Sequence, residues 1–145
     1  MAAMSDYLEN KIIDQVFRAQ AYTFPTTLYV GLYTATPSDT GGGTEATGGS
    51  YARASVTASL ANFAGTQSAG STTASSGTTG TTSNNGTITF ATPTASWGTV
   101  TSFGIFDAST AGNLLFYGTL TTSKTINTGD TVTFPAAALS VQIDN

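Results

Sequence analysis

The feature that most limits the fold is a succession of short strand-like runs that fills the chain after Pro25. In the first run, TTLYVGLYT, leucine or valine at positions 28, 30 and 32 alternates with tyrosine or glycine between them, the pattern of a sheet with two different faces. Eight runs lie at residues 26–34, 51–60, 87–92, 97–106, 114–120, 124–127, 130–134 and 139–143. Because no helical pattern separates them, they predict an all-β fold, an antiparallel, jelly-roll-like β-sandwich with one N-terminal α-helix.

Two turn sequences support this interpretation. DASTAGN at residues 107–113 links two aromatic-rich runs and predicts a β-hairpin, while NTGD at residues 127–130 supplies the glycine that a chain reversal needs. Aspartates in such turns accept hydrogen bonds from backbone amides.

The helical pattern lies at residues 5–19. Ser5 can cap the first turn, Asp6 and Glu9 complement the helix dipole, and Asp14 and Arg18 form an i,i+4 pair. The stripe on this helix is the candidate partner interface: Tyr7, Leu8, Ile12, Ile13, Val16 and Phe17. Two interpretations stay open, a helix docked on its own β domain or an arm that grips a neighbouring subunit.

Length and composition predict the domain organisation. A chain of 145 residues predicts one domain, with residues 1–24 as an N-terminal arm and helix and residues 25–145 as a single β-sandwich. Of two insertions, residues 37–50 form a glycine-rich loop and residues 65–86 are almost all Ser, Thr and Gly. They offer little apolar area to offset their ordering entropy, so we expect them to be flexible; the longer one can instead form an exposed β-excursion.

Charge excludes several classes of partner. Charged residues make up 8% of the chain, against about a quarter in ordinary soluble domains, and the formal net charge is −4. The scattered cations Lys11, Arg18, Arg53 and Lys124 are too few to bind nucleic acid. No apolar run is long enough for a membrane span and no signal-peptide pattern is present, so we expect neither membrane anchoring nor secretion. A surface with so few charges suits a subunit of an assembly.

The chemistry available to the chain is narrow. The absence of histidine and cysteine excludes Ser-His, Cys-His and thiolate zinc sites. The remaining acids are Asp6, Glu9, Asp14, Asp39, Glu45, Asp107, Asp130 and Asp144. After the helix they occur singly, mostly in predicted turns, which favours a capping role over a glycosidase pair. Asp39 and Glu45 share one loop, but their spacing matches no EF-hand. We therefore expect no enzymatic activity, no metal and no cofactor.

Four tyrosines leave one alternative open. Aromatic side chains can form a glycan-stacking surface, although packing within the sheet is the simpler interpretation. The residues concerned are Tyr22, Tyr29, Tyr33 and Tyr51.

Several phrases go beyond a generic β-sandwich: SDYLENK, GGSYAR, ASWGTVTSFGIFD, GNLLFYG and LTTSKTIN. With their surroundings, they resemble a family of small tailed-bacteriophage structural proteins, often labelled tail fibre, over nearly the whole chain except residues 62–87. Similar small β-sandwich proteins are associated with capsid cement or decoration. The resemblance implies a virion protein on the outer surface of the particle, assembled in the host cytoplasm.

The leading hypothesis from this resemblance is a capsid cement protein that stabilises the head shell by bridging major capsid subunits. Its partners would be the major capsid protein and copies of itself, as a homodimer or homotrimer. The alternative is a tail-fibre or tail-tip structural or adhesion module, whose partners would be tail proteins or a host-surface glycan.

Overall fold

A computed structural model of the protein describes residues 2–143 and confirms the all-β prediction. The elements are β1 (Ala2–Met4), α1 (Asp6–Phe17), β2 (Thr27–Ala35), β3 (Thr44–Glu45), β4 (Ala54–Thr57), β5 (Thr81–Ser83), β6 (Ile88–Thr89), β7 (Gly98–Phe106), β8 (Leu114–Ile126), β9 (Thr133–Phe134) and β10 (Ser140–Gln142). Every strand pair among them is antiparallel. The single N-terminal helix is also confirmed and lies within the predicted residues 5–19.

One large sheet dominates the fold. Its strand order is β1-β8-β7-β2-β3, and β4 pairs with the first half of β2 on the same edge that β3 occupies further along. The other strands form two ribbons, β5 with β10 and β6 with β9. A jelly roll has eight strands in two sheets. The observed sheet of six strands with two short ribbons does not confirm that part of the prediction.

The core lies between the large sheet and the ribbons. Val30 and Leu32 of β2 are at most 3% exposed and belong to the same buried cluster as Leu139 and Val141. This confirms the two-faced pattern read from β2, because Tyr33 and partly buried Tyr29 belong to a separate cluster. Each fully buried aliphatic or aromatic side chain contributes about 1.5–3 kcal/mol.

The runs at residues 114–120 and 124–127 are one strand, β8, interrupted by an excursion. Ser102 pairs with Thr119 and Val100 with Lys124, so the single residue Thr101 faces the four residues 120–123. This is an enlarged β-bulge. The prediction of two separate strands was therefore wrong. Threonine favours strands on both sides of the excursion, so the sequence does not show that both runs belong to one strand.

The two insertions contribute to the sandwich. The first contains β3, and the second contains β5 and Asn84, whose side chain is buried. The Asn84 amide donates to the carbonyls of Gly86 and Pro135 at 2.7 and 2.8 Å and accepts from the amide of Leu139 at 2.9 Å. Hydrogen bonds therefore attach β3, β5 and Asn84 to the rest of the sandwich. The expected flexibility of the two insertions stays a prediction.

The predicted N-terminal arm begins inside the sheet. Ala2, Ala3 and Met4 form β1, which pairs with residues 116–118 of β8. The strand is too short to show an alternating pattern, which is why the sequence gives no sign of it. Whether residues 1–24 and 25–145 behave as separate units stays a prediction.

Candidate partner interface

Helix α1 is fixed at its first turn. The Ser5 hydroxyl accepts from the amide of Leu8 at 3.3 Å and donates to the carbonyl of Leu114, while the Ser5 amide donates to Leu115 at 2.9 Å. Ser5 is 1% exposed, so these bonds lie away from water. The predicted cap is confirmed, and it attaches the helix to the first residues of β8.

The last turn of the same helix carries exposed apolar side chains. Leu8 is 4% exposed, whereas Ile13 is 49%, Val16 66% and Phe17 80% exposed. Ile13 lies three and four residues from the other two, so the three side chains adjoin on one face. We call Ile13, Val16 and Phe17 the helix-end patch. The predicted stripe is therefore divided, with its first turn docked on the β domain and its last turn free; Tyr7 and Ile12 are half-buried.

The segment after the helix folds back along it. The Tyr22 amide donates to Gln15 at 2.6 Å, and the Tyr22 ring lies edge-on to Tyr7 and Phe24, with centroids 6.3 and 4.7 Å apart. Burial, with Tyr7 beside it, raises the pKa of Tyr22. Phe24 remains 56% exposed. This packing places the Tyr22 ring against Tyr7 of α1 and leaves the helix-end patch exposed.

An ion pair between Arg53 and Glu45 lies on the outer face of the large sheet. The Arg53 guanidinium donates to both carboxylate oxygens of Glu45 at 2.8 Å and to the carbonyls of Ala108 and Ala111 at 2.9 and 2.8 Å. It also lies 3.4 Å from the centroid of the Phe106 ring. Burial lowers the pKa of Arg53, but the hydrogen bonds and charge of Glu45 outweigh it, so the pKa is raised. We call Glu45, Tyr51, Arg53 and Phe106 the arginine cluster.

Tyr51 completes the arginine cluster. Its hydroxyl donates to Glu45 at 2.9 Å and accepts from the backbone amide of Leu32 at 2.8 Å, and its ring meets Trp97 edge-on at 5.2 Å. Burial raises the pKa of Tyr51. Tyr33, 5% exposed, stacks on Phe106. Sheet packing is thus confirmed for Tyr33, which is buried in β2, while Tyr22, Tyr29 and Tyr51 are half-buried.

The chain can now be compared with known proteins. Over residues 3–142 it matches the family described as podophage GP4 fiber I protein gp80. It belongs to this family. A search of curated proteins finds no match. The protein is therefore a bacteriophage structural protein and a virion component, as the resemblance implied, and the family match includes the residues 62–87 that the resemblance left out.

The family description favours one of the two hypotheses. A fibre protein fits the tail-fibre alternative better than the capsid-cement hypothesis, which the match does not confirm.

The acids occupy structural positions. Asp107 accepts from the amide and side chain of Asn113, both at 2.7 Å, and Asp130 accepts from the amide of Asn127 at 2.8 Å. This confirms the hairpin at residues 107–113 and the turn at 127–130. In residues 2–143 no three Asp or Glu side chains gather as a metal site. Asp144 lies outside the described residues.

The sequence interpretation missed the arginine cluster. Arg53 was treated as a scattered cation and Glu45 as a loop acid, although they are eight residues apart and the phrase GGSYAR contains Tyr51 as well. Only the pairing of β3 and β4 along one edge of β2 brings them together. No helix in the described part of the chain is long and apolar enough to cross a membrane.

Proposed function

We propose that the protein is a tail-fibre or tail-tip structural module that joins its neighbours in the virion through the helix-end patch. The observation that carries the proposal is the contrast along α1, whose first turn buries Leu8 and whose C-terminal end exposes three apolar residues. The fibre description of the family supports the tail location. Its partners are tail proteins and further copies of the chain on the outer surface of the particle.

Apolar burial supplies the free energy for this contact. Covering a large apolar side chain contributes about 1.5–3 kcal/mol, so the helix-end patch gives a useful but modest contact. Many weak contacts in one assembly add up, because each later contact forms at a high effective concentration. The small number of charged residues limits repulsion between neighbours.

We propose also that the protein catalyses no reaction and needs no cofactor. The chain has no histidine or cysteine nucleophile, and the carboxylates of Asp107 and Asp130 each accept hydrogen bonds within their own turns. If purified protein cleaves a host glycan, and Asp107→Asn abolishes that cleavage without unfolding the chain, this part of the proposal is wrong.

The copy number in purified particles tests the tail location. Quantitative mass spectrometry, with the major capsid protein as internal standard, should give a stoichiometry equal to that of other tail proteins. A stoichiometry that follows the capsid subunits would identify a cement protein instead.

A variant tests the role of the helix-end patch. Replacing Ile13, Val16 and Phe17 together by serine should preserve the β-sheet circular dichroism spectrum and prevent incorporation into particles, because all three side chains are largely exposed. The matched control changes the exposed polar residues Glu9 and Asn10 of the same helix to alanine and should incorporate normally. Normal incorporation of the triple-serine variant would show that another surface makes the attachment.

A further inference from the structure

An apolar cleft opens at one end of the sandwich. Its volume is about 420 Å³, and it lies between the ends of β7 and β8 and the chain around β9. Its apolar lining consists of Leu32, Val100, Leu120, Ile126, Val132, Phe134 and Pro135. The β8 excursion builds one rim, because Thr121 and Thr122 follow Leu120 there and are exposed. The cleft is therefore a preformed receptor for apolar side chains, with threonines at its rim.

The cleft and the helix-end patch lie at opposite ends of the large sheet. Helix α1 is attached where β8 begins, and β2 starts beside Phe106, so both connections of the arm lie at the hairpin end. The cleft lies around Val100 and Ile126 at the other end. The six steps along β7 from Val100 to Phe106 span about 20 Å at roughly 3.3 Å per residue. One copy thus presents an apolar end of a helix in one direction and an apolar cleft in the other.

The charges at the two surfaces are complementary. Lys124 is the charged residue that lines the cleft, and it pairs with no carboxylate of residues 2–143. Helix α1 has no basic residue in its last turn, and the carbonyls at a helix C-terminus carry a partial negative charge. A lysine ammonium beside these carbonyls is a favourable arrangement. Arg18, the cation after the helix, already pairs with Asp14 at 2.9 Å.

We infer that the helix-end patch of one copy docks into the cleft of a second copy, with Lys124 beside the last carbonyls of the docked helix. The inference rests on the proposed function in taking α1 as the attachment element, and it names a second copy of this chain as one partner. The contact joins two different surfaces, so repetition closes into a ring or continues as a filament. Three docked side chains bury less than the roughly 800 Å² per partner of a standard interface, so a single contact is weak.

Thiol cross-linking tests the contact directly, because the chain contains no cysteine. Two variants each receive one thiol: Gln20→Cys, beside the exposed end of α1, and Thr122→Cys, at the rim of the cleft. They are mixed at high concentration with a short bismaleimide and distinguished by tags of different mass. The mixed adduct should form at least tenfold faster than either adduct of a variant with itself.

A matched control replaces Thr122→Cys by Ser109→Cys, an exposed thiol in the hairpin turn at the other end of the molecule. The inference would be overturned if Gln20→Cys formed its adduct with Thr122→Cys no faster than with Ser109→Cys. Predominance of the adduct between two Gln20→Cys copies would overturn it too, because it indicates a symmetric contact between helices.

A second substitution tests the chemistry of the contact. Adding Phe17→Ser to the Gln20→Cys variant removes an exposed ring, so it should leave the fold intact and reduce the mixed adduct to the level of the control. Lys124→Gln in the partner should reduce it severalfold. An undiminished adduct with Phe17→Ser contradicts docking of the helix-end patch. The particle stoichiometry described above does not depend on this contact, so the tail location and the docking can fail independently.

Discussion

The arginine cluster and the helix-end patch are two regions near the same end of the large sheet, and their side chains lie in opposite environments. In the arginine cluster the Arg53 side chain is 8% exposed. Its guanidinium contacts both oxygens of one carboxylate, two backbone carbonyls and the face of an aromatic ring. In the helix-end patch, apolar side chains are left in water. The usual arrangement of charges outside and apolar groups inside is locally reversed.

The difference separates residues that hold the fold from residues available to a partner. Arg53 connects the glycine-rich loop, β4 and the hairpin turn, so its loss removes hydrogen bonds to the Glu45 carboxylate and to two carbonyls of the turn. The side chains of the helix-end patch contribute little to the stability of a single chain, so they can be substituted without unfolding it. Substitutions in the two regions should separate stability from assembly.

The largest effect is expected for Arg53→Ala. Removing one partner of a buried ion pair leaves the other charge uncompensated, and here the carbonyls of Ala108 and Ala111 also lose a donor. Because the Glu45 side chain is 24% exposed, we expect a loss near the lower end of the usual range, about 3 kcal/mol. Urea unfolding followed by circular dichroism measures it.

The control for this variant is Arg18→Ala. Arg18 forms an ion pair of similar length with Asp14, but 69% of its side chain is exposed, so its loss should cost less than about 1 kcal/mol. Equal losses for the two variants would show that the arginine cluster contributes no more to stability than a surface ion pair.

The next largest effect lies within α1. Leu8→Ala removes a side chain that is 4% exposed and should cost about 2–3 kcal/mol, whereas Phe17→Ala removes one that is 80% exposed and should change stability by less than about 0.5 kcal/mol. Urea unfolding compares the two, and hydrogen exchange shows whether the helix amides lose protection. Similar costs would mean that the last turn packs on its own domain after all.

A smaller effect at neutral pH than for Arg53→Ala or Leu8→Ala is expected for Tyr51→Phe, about 1–2 kcal/mol, because the amide of Leu32 loses its acceptor. This variant also carries a pH signature. The pKa of Tyr51 is raised above the ordinary tyrosine value of 10.0, chiefly by burial. Above that pH the unfolded chain loses a proton that folded Tyr51 retains, so the free energy of unfolding falls as pH rises.

Unfolding measured from neutral pH to above pH 10 checks this sign. The chain with Tyr51 should lose stability more steeply than Tyr51→Phe, by up to about 1.4 kcal/mol per pH unit. Parallel curves for the two proteins would contradict a raised pKa at this position.

The sequence predicted the local elements better than their arrangement. The Ser5 cap, the alternation in β2 and the hairpin at residues 107–113 depend on neighbours along the chain, so their patterns are visible in the sequence. The jelly-roll topology was not confirmed because the partners of short strands such as β5 and β6 are chosen by distant segments. Their two or three residues carry too little pattern to show a partner.

The candidate site was predicted in part for a similar reason. Helical spacing identified the apolar stripe, but only the packing on β8 divides it between buried Leu8 and exposed Phe17. The arginine cluster depends on β3 and β4 sharing one edge of β2, which is a tertiary property. The cleft was not foreseen, because its rim is a bulge within threonine-rich sequence that reads as ordinary strand.

The excursion in β8 has a consequence for solubility. Beyond Gly118 the outer edge of β8 has no strand beside it within residues 2–143, and an uncovered edge invites pairing with foreign strands and amyloid-like growth. Many proteins guard such an edge with several lysines, and this one has Lys124 alone along it. Residues 120–123 break the regular spacing of backbone donors and acceptors along this edge, so we expect them to hinder such pairing through shape in a chain with few charged residues.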